Sequence, residues 1–125
     1  MRPGRGRDRG EVETLTGYGR KSCDTVRRAL RELTEAGHAP ALVDIREPPL
    51  PPAEIARFAE AFGPALVNRR STTWRGLDEG ARAGDPVVLI AAHPTLMKRP
   101  VIEAGGRLTL GWEKETRAQW LGNPG

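Results

Sequence analysis

Between residues 12 and 45 the spacing of apolar and β-forming residues changes from two to 3.6 and back to an extended run. That succession limits the fold more than any other feature of the chain. Val12, Thr14 and Thr16 alternate with Glu13, Leu15 and Gly17, which predicts a strand over Val12 to Tyr18 because threonine and valine favour extended backbone. A turn, Gly19-Arg20-Lys21-Ser22-Cys23, then opens a helix. Val26, Ala29, Leu30 and Leu33 form one apolar stripe, with Arg27, Arg28, Arg31 and Glu32 facing outward. Gly37 stands in the C′ position, where a positive φ ends a helix at little cost. Ala41 to Ile45 reads as a buried strand. Two strands joined by a helical crossover pair in parallel.

The second half has a different grammar. Four prolines between Glu47 and Pro52 make a stiff connection into a helix whose stripe is Ile55, Phe58, Ala59 and Phe62 and whose end is Gly63-Pro64. Asn68 to Arg75 is polar and basic and reads as a loop or short turn. Val87 to Ala92 is β-branched at its start, but Asp85 suits an N-cap and Pro86 suits N1, so a short helix is expected. Val101 to Ala104 and Arg107 to Leu110 flank Gly105-Gly106 and predict a two-residue hairpin. A last helix is expected from Glu113 to Leu121. The order β-α-β, helical insert, β-β-α describes an α/β domain with a mixed four-stranded sheet and the thioredoxin-like succession of elements.

With 125 residues, a single domain is expected, spanning residues 12–122 with the insert at about 52–92. Residues 1–10 carry four arginines against one aspartate, so most of the net charge of +4 belongs to a tail. Residues 1–11 are read as a disordered basic extension, and the domain itself is close to neutral. Its aromatic residues do not interleave with arginine, so no stacking platform for nucleic acid is expected. The run Val87 to Ala92 is too short to span a bilayer, and no apolar segment follows the N-terminal arginines as a secretory signal would require. The sequence holds one cysteine, Cys23, which excludes an intrachain disulfide and a multi-cysteine zinc site. No metal site is expected, and the compartment expected is the reducing cytoplasm.

Cys23 is the strongest candidate for chemistry. It stands where a strand gives way to the best helix in the chain, beside amides that lack intrahelical acceptors. Those donors and the helix dipole favour a thiolate. Arg20 and Lys21 add positive charge and Asp24 opposes it. The plainer reading is a small thiol used for packing. Spacing excludes sharper motifs. A Cys-x-x-Cys pair would need sulfur at Val26, a Cys-x5-Arg phosphate loop would need arginine at Ala29, and a Walker loop would need glycine at Arg20. Redox turnover at this thiol would therefore need an external thiol. His38 and His93 lack partners at ligand or triad spacing, and Glu113 and Glu115 read as a solvated helix start. Arg69-Arg70 and Lys98-Arg99-Pro100 are basic pairs next to turns, and the Arg99–Pro100 bond is a candidate for the cis form.

Four segments taken together carry a resemblance: Gly17 to Thr25, Asn68 to Leu77, His93 to Val101, and Gly105 to Trp112. In order and spacing they resemble the arsenate reductase-like (ArsC/Spx) family, closest to its YffB branch, from about Glu13 to Leu121. The resemblance implies a thioredoxin-like fold with a helical insert and a bacterial, cytoplasmic protein. It implies that Cys23 is the nucleophile and that Arg99 is the arginine facing it. Arg70 matches an insert arginine of the YffB and Spx branches, while Asn68 stands where arsenate reductases carry one. Arg27 has a counterpart in those enzymes, but helix phase can turn it away. A third family arginine has no match, since Glu113 occupies that stretch.

These residues point to a monothiol reductase. Cys23 would attack an oxyanion or mixed disulfide, with Arg99, Arg70, Lys21 and Arg20 as anion-binding residues. No cofactor would be bound, and glutathione or glutaredoxin would act as co-substrate. The alternative implied by the Spx branch is a non-enzymatic regulator that binds the RNA polymerase α subunit or another protein.

Overall fold

Strand β1 (Leu15–Gly19) turns Leu15, Gly17 and Gly19 to one face, and helix α1 (Asp24–Glu35) lies on that face. The two glycines set how closely they meet. A Cβ on Gly17 would stand 3.4 Å from Leu30 Cδ2, and one on Gly19 would stand 2.6 Å from Val26 Cγ2. The helix therefore rests almost on the strand backbone at its first turn. Residues 15–46 and 48–122 are described in this computed structural model. The expected tail over residues 1–11 and the start of the expected strand, Val12 to Thr14, lie outside them.

From α1 the chain returns through β2 (Pro40–Asp44), which pairs in parallel with β1 from Leu15↔Pro40 to Gly19↔Asp44. Helices α2 (Pro52–Phe62), α3 (Thr72–Arg75), α4 (Glu79–Arg82) and α5 (Pro86–Ala92) follow, with 3-10 turns at Gly63–Leu66 and Pro94–Leu96. The hairpin β3 (Val101–Ala104) and β4 (Arg107–Leu110) and the helix α6 (Lys114–Leu121) complete the described chain. Strand order is β2-β1-β3-β4, with β3 antiparallel to both neighbours. The mixed four-stranded α/β sheet and its thioredoxin-like order are those expected. No described helix is long and apolar enough to cross a membrane.

Two details differ from the sequence reading. Strand β2 runs from Pro40, not Ala41, and is an edge strand: Ala41 is exposed and Leu42 to Asp44 are half-buried. Its apolar letters reflect one covered face. The stretch Asn68 to Arg75 also contains a helical turn, and α4 follows it. Ser71 Oγ accepts from the Trp74 amide at 3.1 Å, and Asp78 Oδ1 accepts from the Ala81 amide at 2.8 Å. Both are N-cap residues ahead of turns too short to show apolar periodicity. The cap expected at Asp85 is present, accepting from the Val87 amide at 2.8 Å.

Alternation along β3 divides the core. Val101 joins Ile55, Phe58, Leu66, Ile90, Leu96 and Met97 beneath the insert. Ile102 joins Leu15, Ala29, Leu33, Trp112 and Trp120 under α1 and α6. An ion network ties α2 to β3: Arg57 Nη1 donates to Glu103 Oε2 at 2.6 Å, Arg57 Nη2 to Glu54 Oε2 at 2.9 Å, and the Tyr18 hydroxyl to Glu103 at 3.4 Å. In the insert, Arg69 and Arg82 each place a guanidinium over the Trp74 ring, 5.5 Å from its centroid.

Gly19→Ala is expected to destabilise the protein by about 1–3 kcal/mol through overpacking against the fully buried Val26. Gly76→Ala, where a Cβ would meet only ordinary contacts from 3.6 Å outward, is expected to change little. Urea unfolding midpoints check both. Adding Val26→Ala to Gly19→Ala should cost less than the two changes summed.

Candidate thiol site

The close approach of α1 to β1 places Cys23 at the helix N-cap, with φ −81° and ψ 124°. Its amide donates to the Arg20 carbonyl at 2.9 Å, and its carbonyl accepts from the Arg27 amide at 3.0 Å. The backbone is thus held from both sides and the half-buried thiol is left free. Burial pushes the thiol pKa up, but the Val26 amide, the Arg99 guanidinium and the Thr25 amide together bring it below its ordinary value. The first-turn amides of Thr25 and Val26 are the backbone groups that act on the sulfur.

Arg99 is carried by the segment after α5. Its Nη1 donates to the Thr95 carbonyl at 3.0 Å and to the Met97 carbonyl at 3.3 Å. Its Nε is buried with no hydrogen-bond partner among the described residues. The Arg99–Pro100 peptide is cis. Two short backbone bonds clip this segment to the end of the first 3-10 turn: the Asn68 amide donates to the Leu96 carbonyl and the Lys98 amide to the Leu66 carbonyl, both at 2.7 Å. Farther on, the Gly111 amide donates to the Pro100 carbonyl at 2.8 Å. Gly111 has φ +84°, a conformation that glycine adopts without strain, and it brings Trp112 and Glu113 alongside.

These connections enclose a cleft of about 320 Å³ lined by Cys23, Thr25, Arg28, Asn68, Lys98, Arg99, Gly111, Trp112 and Glu113. Behind it, Glu32 gathers three donors. Glu32 Oε1 accepts from Trp112 Nε1 and from Arg117 Nε, each at 2.9 Å, and Oε2 accepts from Arg28 Nε at 3.1 Å. The indole bond foremost, against the cost of burial, and the two guanidinium groups hold the Glu32 carboxyl at about 2. One carboxylate therefore joins α1, α6 and two walls of the cleft.

Of the residues singled out from sequence, the structure brings Cys23 and Arg99 together in a cleft that Asn68 and Glu113 also line. It does not bring Arg20, Lys21 or Arg70 into this cleft. Arg20 and Lys21 line a second depression, of about 430 Å³, with Ser22, Asp44 and Arg46. The Asp44 carboxylate draws the turn that way by accepting from the Lys21 amide at 3.2 Å and the Arg46 amide at 2.9 Å. Arg70 is exposed; its amide donates to Asn68 Oδ1 at 3.0 Å, and Asn68, not Arg70, lines the cleft. Arg27 points outward to Asp24 at 3.8 Å. His38 hydrogen-bonds the Trp120 carbonyl at 2.8 Å. Arg28, Lys98, Thr25 and Trp112 were not singled out for the site. Arg28 reads as an outward helix position, and only the return of the chain at Gly111 shows that this outward face borders the thiol.

The family model described as the ArsC family matches residues 18–119. The chain is similar to an uncharacterized protein of Haemophilus influenzae, 39% identical over 110 residues and covering 83% of this chain and 96% of that one. Among solved structures it is similar to the YffB protein, with 32% identity, a TM-score of 0.78, and coverage of 86% of this chain and 98% of that one. It is also similar to an arsenate reductase (ArsC) related protein from Brucella melitensis, with 31% identity, a TM-score of 0.70, and coverage of 86% and 93%.

Two outcomes follow from the electrostatics. Arg99→Met should move the Cys23 titration, read by thiolate absorbance at 240 nm, upward from the wild-type value, since it removes a charge that favours the thiolate. Glu32 should contribute stability that is present above the ordinary carboxylate value of 4.5 and lost as pH falls towards about 2, because the unfolded chain takes up the proton first. Glu32→Gln is therefore expected to flatten the acid limb of stability between those values in pH-dependent urea titrations.

Proposed function

Because the chain belongs to the ArsC family, a family of thiol-dependent reductases, we propose that it is a monothiol reductase that exchanges its single thiol with glutathione mixed disulfides. The observation that carries this reading is the half-buried Cys23 at the start of α1, held below its ordinary pKa by two amides and Arg99. Cys23 is the catalytic nucleophile. Its thiolate attacks the glutathionyl sulfur of a mixed disulfide, a new sulfur–sulfur bond forms, and the other sulfur leaves as a thiolate. A second glutathione thiolate then attacks the Cys23 adduct, which releases glutathione disulfide and restores Cys23. The two electrons come from glutathione or from a glutaredoxin. A second protein cysteine is not needed, and the sequence has none. The reducing cytoplasm of a bacterium supplies the thiol pool this cycle consumes.

Arsenate is a poor substrate in this reading. A tetrahedral oxyanion calls for several guanidinium forks, and the cleft offers Asn68 and Glu113 where arsenate reductases would supply two of them. A lost charge-assisted hydrogen bond costs about 1.5–3 kcal/mol, so two losses lower turnover by at least about a hundredfold.

In a coupled glutathione assay the protein should reduce a glutathione mixed disulfide, lose that activity in Cys23→Ser, and turn over arsenate at least about a hundredfold more slowly. Equal rates on the two substrates would restore a plain arsenate reductase. A Cys23→Ser protein that still supports the cellular role of the wild type would instead favour a regulator acting through protein contacts.

A further inference from the structure

Among the described residues lining the Cys23 cleft, Glu113 is the one carboxylate, against three cations, Arg28, Lys98 and Arg99. Two of those cations are engaged with the body of the protein: Arg28 donates to Glu32 at 3.1 Å, and Arg99 donates to the Thr95 and Met97 carbonyls. Among the described residues, the side chains of Lys98 and Glu113 pair only with each other, at 3.5 Å, and both remain open to water, 41% and 79% exposed. Glu113 occupies the N-cap of α6 yet makes no capping bond with its side chain. Its backbone is nonetheless held, since its carbonyl accepts from the Arg117 amide at 2.8 Å. Lys98 approaches over Gly111, where a Cβ would stand 3.5 Å from Lys98 Cε.

We propose that Lys98 and Glu113 form a split-charge rim that selects zwitterionic, amino-acid-like thiols, Lys98 taking the carboxylate and Glu113 the ammonium of one small molecule. The inference rests on the thiol-exchange reading above and adds to it the charge pattern of the partner thiol. A cleft of about 320 Å³ is at the small end of ligand pockets and suits one such unit. A dianion meets repulsion at Glu113, and a dication meets it at Lys98. A zwitterion replaces their mutual contact with two of its own. In the step concerned, the Cys23 thiolate attacks a symmetric disulfide and bonds to one of its sulfurs. The other sulfur leaves with the electron pair as a thiolate.

The test uses the full chain and three probes that differ in charge: L-cystine, cystamine and dithiodiglycolate. Rates of Cys23 adduct formation are followed by mass spectrometry for wild type, Glu113→Gln, Glu113→Lys and Lys98→Gln. Any change in Cys23 nucleophilicity alters all three rates together, so the ratios between probes isolate the rim. Glu113→Gln should lower the cystine-to-dithiodiglycolate ratio by about two- to five-fold, the size of an exposed charge contact. Glu113→Lys should lower it further, and Lys98→Gln should raise the cystamine rate relative to dithiodiglycolate. Ratios unchanged in all three variants, while wild type reacts with every probe, would overturn the inference and leave thiol exchange standing. A wild-type protein that alkylates with iodoacetamide but reacts with none of the disulfides would overturn both.

Discussion

The placement of Cys23 depends on the contact between Val26 and the bare backbone of Gly19. With hydrogen in place of a side chain at positions 17 and 19, α1 settles on β1 at its first turn. The turn that joins them then closes through one bond, from the Cys23 amide to the Arg20 carbonyl. The parallel pairing of β2 holds the other side of that turn through Asp44. The thiol thus owes its address to an absence of side chains, and its lowered pKa to two amides of its own helix and to Arg99, brought in from far along the chain.

Those groups act against desolvation. Burial alone would leave Cys23 a protonated, inert thiol. Two amides and one guanidinium reverse the sign, and none of the three requires long-range charge. Glu32 works by the same rule on a supporting element: an indole and two guanidinium groups keep it ionised while it joins the helices behind the cleft. The site is built from short contacts to partly buried atoms, which salt screens far less than exposed pairs.

Much of this was legible in the sequence. The strand–helix–strand opening, the two-glycine hairpin and the Asp85-Pro86 helix start all write their geometry in local residue choices. So did the position of Cys23. The sequence did not disclose the edge position of β2, because apolar letters record burial of a face without saying which strand neighbours it. Nor did it disclose α3 and α4, whose single turns are too short for periodicity. In the cleft, Arg28 and Trp112 become neighbours of the thiol through backbone returns at Gly111 and across residues 66–68. Arg20, Lys21 and Arg70, close to Cys23 or matched by resemblance, do not line the cleft; Asp44 and Asn68 bond to the backbone of Lys21 and Arg70.

The way the cleft is fastened has a consequence for how such a protein changes over time. Asn68 is held by its amide on the Leu96 carbonyl, and Glu113 by its carbonyl on the Arg117 amide. Asn68 also uses its side chain, whose Oδ1 accepts from the Arg70 amide, but Glu113 makes no capping bond with its own and does not depend on it for its place in the fold. Exchanging the residue at position 113 therefore rewrites the charge at the cleft while the architecture carries on unchanged. A scaffold fastened in this manner can change the charge beside its thiol by a single substitution that the fold tolerates in advance.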